Sequence, residues 1–257
     1  MDLTLCMTLA TATAGTILLF RILVVKQAVR FAAVSFYLAQ HVLWGWALTL
    51  IPRDTRGYVT LYEASNPVEW IAATWCVAHL LGKAFDGYPG IRSLSRWATW
   101  GASVVAVSVA LALANYFWQG GMRRQKTLFY FEVADRSVLL GLALVVILTM
   151  FFLSRYPLRL QANTWTSLVA FSAIILSLAG ARLVDSVASV MAVSPVDNIQ
   201  LIFESACCLA WAGAFRREEE QAPARVIFSH SGGHAGEAEI LRQLESMNGI
   251  LHRVGRG

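Results

Sequence analysis

Charge is what this sequence has least of. Only 14% of its 257 residues are Asp, Glu, Lys or Arg, and just three of those are lysine. A soluble domain carries about 25% charged residues, so a single water-soluble core of this length is excluded. Cysteine (4) and proline (6) are few and glycine (18) is ordinary, which removes disulfide scaffolds, collagen and proline-rich disorder. What is there is apolar: 57% hydrophobic residues and a mean hydropathy of +0.56. The class that remains is all-α, a polytopic membrane helix bundle whose first partner is the lipid bilayer.

A membrane-crossing helix needs roughly 20 mostly apolar residues. Seven stretches approach that length: Leu3–Phe20, Phe31–Ile51, Pro67–Leu81, Trp97–Phe117, Leu128–Leu153, Trp165–Val184 and Ile199–Phe215. Their apolar runs are continuous, which suits helices; strands of a barrel would alternate. The first stretch is preceded by Met1 and Asp2 alone, and its nearest cations, Arg21, Lys26 and Arg30, follow it. A signal peptide has the opposite order, so an uncleaved span is expected.

Loops on the side reached after spans 1, 3 and 5, with the start of the tail, hold ten Lys and Arg residues; the other side holds seven. Cytoplasmic loops are the basic ones, so the N-terminus is expected outside and the C-terminus inside. The loop around Arg123–Arg136 is basic on the outer side and runs against this rule. With acids counted, the inner loops through Arg217 carry +9 and the outer side −1. The net charge of +5 is therefore a statement about orientation, and no nucleic-acid partner follows from it. Trp70, Trp97, Trp100, Trp118, Trp165 and Trp211 fall near span ends, where amphipathic rings suit the headgroup layer.

The composition changes after Phe215. A transmembrane domain over 1–216 gives way to a tail, 217–257, that begins Arg217-Glu218-Glu219-Glu220. Within it Ile240, Leu241, Leu244, Met247, Ile250, Leu251 and Val254 recur at helical spacing, predicting a short amphipathic helix over about 237–254. Two heptads are too short for a stable coiled coil. A cytoplasmic protein partner, the inner loops or the membrane surface could take its apolar face.

Ionisable residues inside a span are costly and usually face a cavity or a partner. Glu69 opens span 3, and Glu132, Asp135 and Arg136 open span 5. Arg182 closes span 6, Glu204 lies deeper in span 7, and His41 lies midway along span 2. The grouping predicts an outward-facing polar pocket among helices 2, 3, 5, 6 and 7. The expected internal pairs are Arg136 or Arg182 with Glu69, Glu132 or Glu204, because a carboxylate at that depth needs a cation or a proton. The plainer alternative is inter-helix hydrogen bonding with snorkelling side chains.

No cofactor or metal is implied. The last span has no lysine for a retinal Schiff base. His41 and His79 differ in depth, unlike a pair of haem ligands, and they are too few for a zinc hydrolase. Cys6, Cys76, Cys207 and Cys208 read as small buried residues. With no complete catalytic set, an enzyme ranks third. A sensor or accessory protein with an outer pocket and a partner-binding tail ranks first. A transporter or channel for a small polar or ionic solute is the alternative, although no inverted repeat is visible.

Several strings occur together: Tyr62-Glu63-Ala64-Ser65-Asn66-Pro67, Gly87-Tyr88-Pro89-Gly90 followed by Arg92 and Arg96, Asp135-Arg136-Ser137-Val138, and Ser154-Arg155-Tyr156. Over about residues 30–216 the chain resembles an uncharacterised family of bacterial seven-span integral membrane proteins. Two departures stand out, near Asn66 and near His79, where acidic residues are expected. The resemblance implies topology and a plasma (inner) membrane location, and no activity. Physically, Gly87–Gly90 is a turn, and Arg92 and Arg96 lie one helical turn apart toward anionic headgroups.

Overall fold

Long runs of Leu, Ala, Val and Phe, interrupted rarely by proline or glycine, fold as helices. The computed structural model describes residues 3–51, 55–86, 88–117, 123–155, 159–187, 193–216 and 225–226, with Arg242 and Ser246. These form α1 (Leu3–Val24), α2 (Ala32–Leu50), α3 (Arg56–Ala84), α4 (Pro89–Phe117), α5 (Arg123–Arg155), α6 (Ala162–Val187) and α7 (Val193–Ala214). Two short strands join them, β1 (Arg159–Leu160) and β2 (Arg225–Val226). Among the described residues α1, Tyr130–Ser154 of α5 and Ala162–Val184 of α6 are long and apolar enough to cross a membrane. That marks a helical membrane protein. Of the other four, α3, α4 and α7 carry charged side chains, and α2 carries Gln40, His41, Trp44 and Trp46.

Most helices outrun their apolar stretches. α3 starts at Arg56 and continues through Pro67, which has no amide hydrogen to give the carbonyl of Glu63. In α7 the proline is Pro195, in the first turn, where a missing N–H leaves no bond broken.

Successive helices pack on one another, and α1 closes the circuit against α7. α3 sits centrally, touching α2, α4, α5 and α6. Contacts define two ends. At one end Arg21 Nη2 donates to the carbonyl of Phe215 (3.2 Å), Phe31 meets Phe215 edge-on at 5.4 Å, and Phe85 meets Phe152 at 5.7 Å. Asn163 clamps Arg216 there, donating Nδ2–H to its carbonyl (2.7 Å) and accepting its amide (3.0 Å). Arg30, which donates to Gln161 Oε1, Lys83 and Arg92 make this the basic end. The opposite end holds the ionisable residues described below.

The interior is apolar with polar side chains set into it, and the outer surface is apolar too. Leu18, Leu80, Leu142, Phe171, Ile175, Trp211 and Phe215 form the core, but Thr11, Thr74, Ser103, Asn163, Ser167 and Glu204 are buried with them. Leu140, Leu144, Ile147, Leu148 and Phe151 stand exposed as one stripe along α5. Apolar residues outward and hydroxyls inward is the arrangement lipid favours. Trp211 corrects one expectation: at 1% exposure it is core, and its indole N–H donates to Ser167 Oγ at 3.2 Å. The predicted tail helix lies outside the described residues, apart from Arg242 and Ser246, which are helical and exposed. The chain after α7 is not wholly detached, since β2 pairs antiparallel with β1, Arg159 opposite Val226 and Leu160 opposite Arg225.

α1 and α2 approach closely where small residues face each other. A Cβ on Gly45 would sit 3.2 Å from the Ala12 Cβ, and one on Gly15 would sit 3.0 Å from Val42 Cγ2. Gly101 faces open space. Gly45→Leu is expected to destabilise by about 1–3 kcal/mol through overpacking, and Gly101→Ala to stabilise by up to about 1 kcal/mol. Thermal unfolding in detergent checks the pair; equal shifts would refute the close packing.

Candidate functional site

α2 buries Ala33, Tyr37 and Gln40, and His41 follows on the same side. Its ring stacks on Tyr37, one turn earlier, at 5.8 Å and 16°. Tyr37 meets Phe171 of α6 edge-on at 5.0 Å, and Phe171 meets Trp211 of α7 at 6.5 Å. This row of rings holds the imidazole plane. Its Nδ1 lies 3.5 Å from Glu69 Oε1 of α3, and its Nε2 lies 3.2 Å from Glu204 Oε1 of α7. Gln200, one turn before Glu204, donates Nε2–H to Glu204 Oε2 at 2.8 Å.

Both ring nitrogens thus face carboxylate oxygens. A neutral imidazole has a hydrogen on one nitrogen only. The two contacts are satisfied together when the ring is cationic, or when one carboxyl holds the proton. A proton shared among Glu69, His41 and Glu204 is what would satisfy both contacts at once. Glu204 has 4% of its side chain exposed and Glu69 has 36%, so one carboxylate is sealed and the other is open to its surroundings.

A second group lies beside the first. Asp135 of α5 accepts the Trp70 indole N–H on Oδ1 (2.8 Å) and Arg182 Nε–H on Oδ2 (3.0 Å). Trp70 follows Glu69 directly on α3, so neighbouring residues serve the two groups. Trp70 therefore works as an interior donor, where the sequence pattern suggested a headgroup ring. Arg136 and Glu132 stand 4.0 Å apart, one turn from each other on α5, and both are more than a third exposed. Such a pair contributes little.

Of the predicted residues, the fold brings His41, Glu69 and Glu204 together, joins Asp135 to Arg182, and leaves Glu132 and Arg136 on the outer surface of α5. Arg136 and Glu132 approach each other, but as an exposed pair 4.0 Å apart and not as the internal pair expected. The side chain between Glu69 and Glu204 is His41, where the sequence pointed to Arg136 or Arg182. The reason is reach: α2 packs on α3, and a ring between two helices spans to both. Tyr37 and Trp70 went unnoticed as positioning residues, although each has a signal, one turn before His41 and next to Glu69. His79 sits at the basic end with Nε2 3.1 Å from the carbonyl of Arg30. Cys6, Cys76, Cys207 and Cys208 are free thiols. Among the described residues no group of three or more His, Cys, Asp or Glu is arranged to hold a metal ion.

Comparison with protein-family models, with curated proteins and with solved structures finds no match to this chain. The site is read from its own geometry.

Breaking the Asp135–Arg182 contact from one side leaves an uncompensated charge among helices. Arg182→Leu is expected to lower stability by about 1–3 kcal/mol, and the double replacement Arg182→Leu with Asp135→Leu to recover at least half of that loss. Melting temperatures of the purified proteins decide this. A double variant whose loss equals the sum of the losses of Arg182→Leu and Asp135→Leu alone would show that the pair has no coupling.

Proposed function

We propose that this chain is a seven-span membrane protein, N-terminus outside and C-terminus cytoplasmic, that works as a sensor or accessory protein responding to protons at an outward-facing polar site. The observation that carries the reading is His41 held between Glu69 and Glu204. The inside-positive loop charge supports the orientation, and the resemblance to bacterial seven-span membrane proteins supports an inner-membrane location.

With the shared proton present, attraction along both contacts draws α2, α3 and α7 together. Once it leaves, two carboxylates confront a neutral ring and repel each other across it. Tyr37 stacks on the ring of this group, and Arg182 is paired with Asp135 on the far side of Trp70. α7 is the element that would respond, and it leads to Phe215, Arg216 and the tail. The tail, in this reading, delivers the response to a cytoplasmic protein partner.

In nanodiscs, hydrogen exchange across α7 should change as the pH is raised far enough for the shared proton to leave. His41→Asn and Glu204→Gln should each flatten that profile. A wild-type profile as flat as theirs removes the reading. Deleting residues 231–257 keeps β2, and should preserve membrane accumulation while abolishing recovery of any partner.

One observation favours a second reading, transport of protons or a small polar solute. The Gln40 amide, next to His41, is buried, and neither its oxygen nor its nitrogen has a hydrogen-bond partner. Such a group suits a passing polar ligand. Flux into vesicles carrying wild type but not Glu204→Gln would favour transport over sensing.

A further inference from the structure

The basic end carries a second site, unconnected with His41. A cavity of about 640 Å³ opens beside α4, lined by Arg92, Ser93, Arg96, Trp97 and Trp100. That volume falls among small-molecule pockets, about 300–1,000 Å³. Arg92 and Arg96 are one helical turn apart, and both side chains run against α3 at Gly82, within 4.0 Å of where its Cβ would be. Among the described residues the carboxylate paired with them is Asp86, 2.7 Å from Arg92 Nη1 and 61% exposed. Lys83 lies next to this group, its ammonium 5.0 Å from the centre of the Phe31 ring. Burial pushes that ammonium below the usual lysine range, and the charges of Arg30 and Arg92 push the same way against Asp86. Positive charge is thus in excess here.

What the arginines hold must also suit the rings. Trp97 is 75% exposed and Trp100 38%. From Trp97 the exposed surface continues along α4 through Trp100 to Val104 and Val105, so an apolar ridge leads away from the two guanidinium groups. A soluble anion has no use for that ridge. A molecule with a phosphate at one end and acyl chains at the other matches both parts.

We propose that this cavity binds one anionic phospholipid, with its phosphate at Arg92 and Arg96, the Ser93 hydroxyl as an added donor, and its acyl chains along Trp97, Trp100 and Val104. The inference rests on α4 being a membrane span, as read above. Asp86 is a built-in opponent of the phosphate, competing for Arg92.

Native mass spectrometry of the full chain in detergent, with phosphatidylglycerol and phosphatidylcholine supplied in turn, tests it. Phosphatidylglycerol should be retained in preference, as one molecule. Each arginine near an anionic lipid is worth roughly a fivefold change in affinity, so Arg92→Gln with Arg96→Gln should weaken retention by about 25-fold. Asp86→Asn should strengthen it, a gain that no folding defect mimics. Equal retention of the two lipids, an unchanged preference in the double arginine variant, or displacement of the lipid by an equal concentration of inorganic phosphate overturns the proposal. Reaction of a cysteine placed midway along α4 with a water-soluble maleimide in intact vesicles would instead remove the reading of α4 as a span. Protection of that cysteine without lipid preference removes only the lipid site.

Discussion

A carboxylate taken out of water must be met by a cation, a proton or several donors, and this requirement organises the polar end of the molecule around α3. Consecutive residues of a helix point about 100° apart. Glu69 therefore reaches toward α2 and α7 through His41, while Trp70 reaches toward α5 through Asp135 and so to Arg182 on α6. Five helices meet through two adjacent side chains. A shift of α3 along its axis would strand both groups at once, so their register is mutually enforced. The basic end is held differently, by backbone carbonyls of Phe215 and Arg216 accepting from Arg21 and Asn163.

Between these ends the helices are joined by packing and hydroxyls. Thr11 on α1 shares a 2.9 Å contact with Ser205 on α7, and Thr74 on α3 a 3.2 Å contact with Ser103 on α4. Such bonds matter in lipid, where apolar surfaces gain nothing from leaving water and close van der Waals contact with inter-helix hydrogen bonding must hold helices together. The glycine contacts of α1 with α2 belong to the same logic. So does the outward stripe on α5, which would be a liability in water.

Each apolar run was legible because hydropathy measures what lipid requires. Helix ends were not, since α3 begins at Arg56 and α5 at Arg123; charged residues outside the hydrocarbon continue a helix without any apolar signal. The carboxylates at the polar end were also legible, as ionisable residues in greasy surroundings. Their partners were not. Charge strength favours arginine, whereas the distance between α2, α3 and α7 selects a histidine. Tryptophan carried the least information: Trp97 is exposed, while Trp211 is core and Trp70 binds Asp135. The same residue type serves all three roles, and only the helix faces tell them apart.

The pairing of β2 with β1 sets the mechanical start of everything after it. Eight residues separate Arg216 from Arg225, and a chain of that length spans at most about 30 Å. Whatever follows Val226 starts beside the α5–α6 connection, close to where Asn163 holds Arg216 after α7. A contact between that chain and the basic end would be intramolecular, and a partner gripping the chain would have to compete with the protein's own surface.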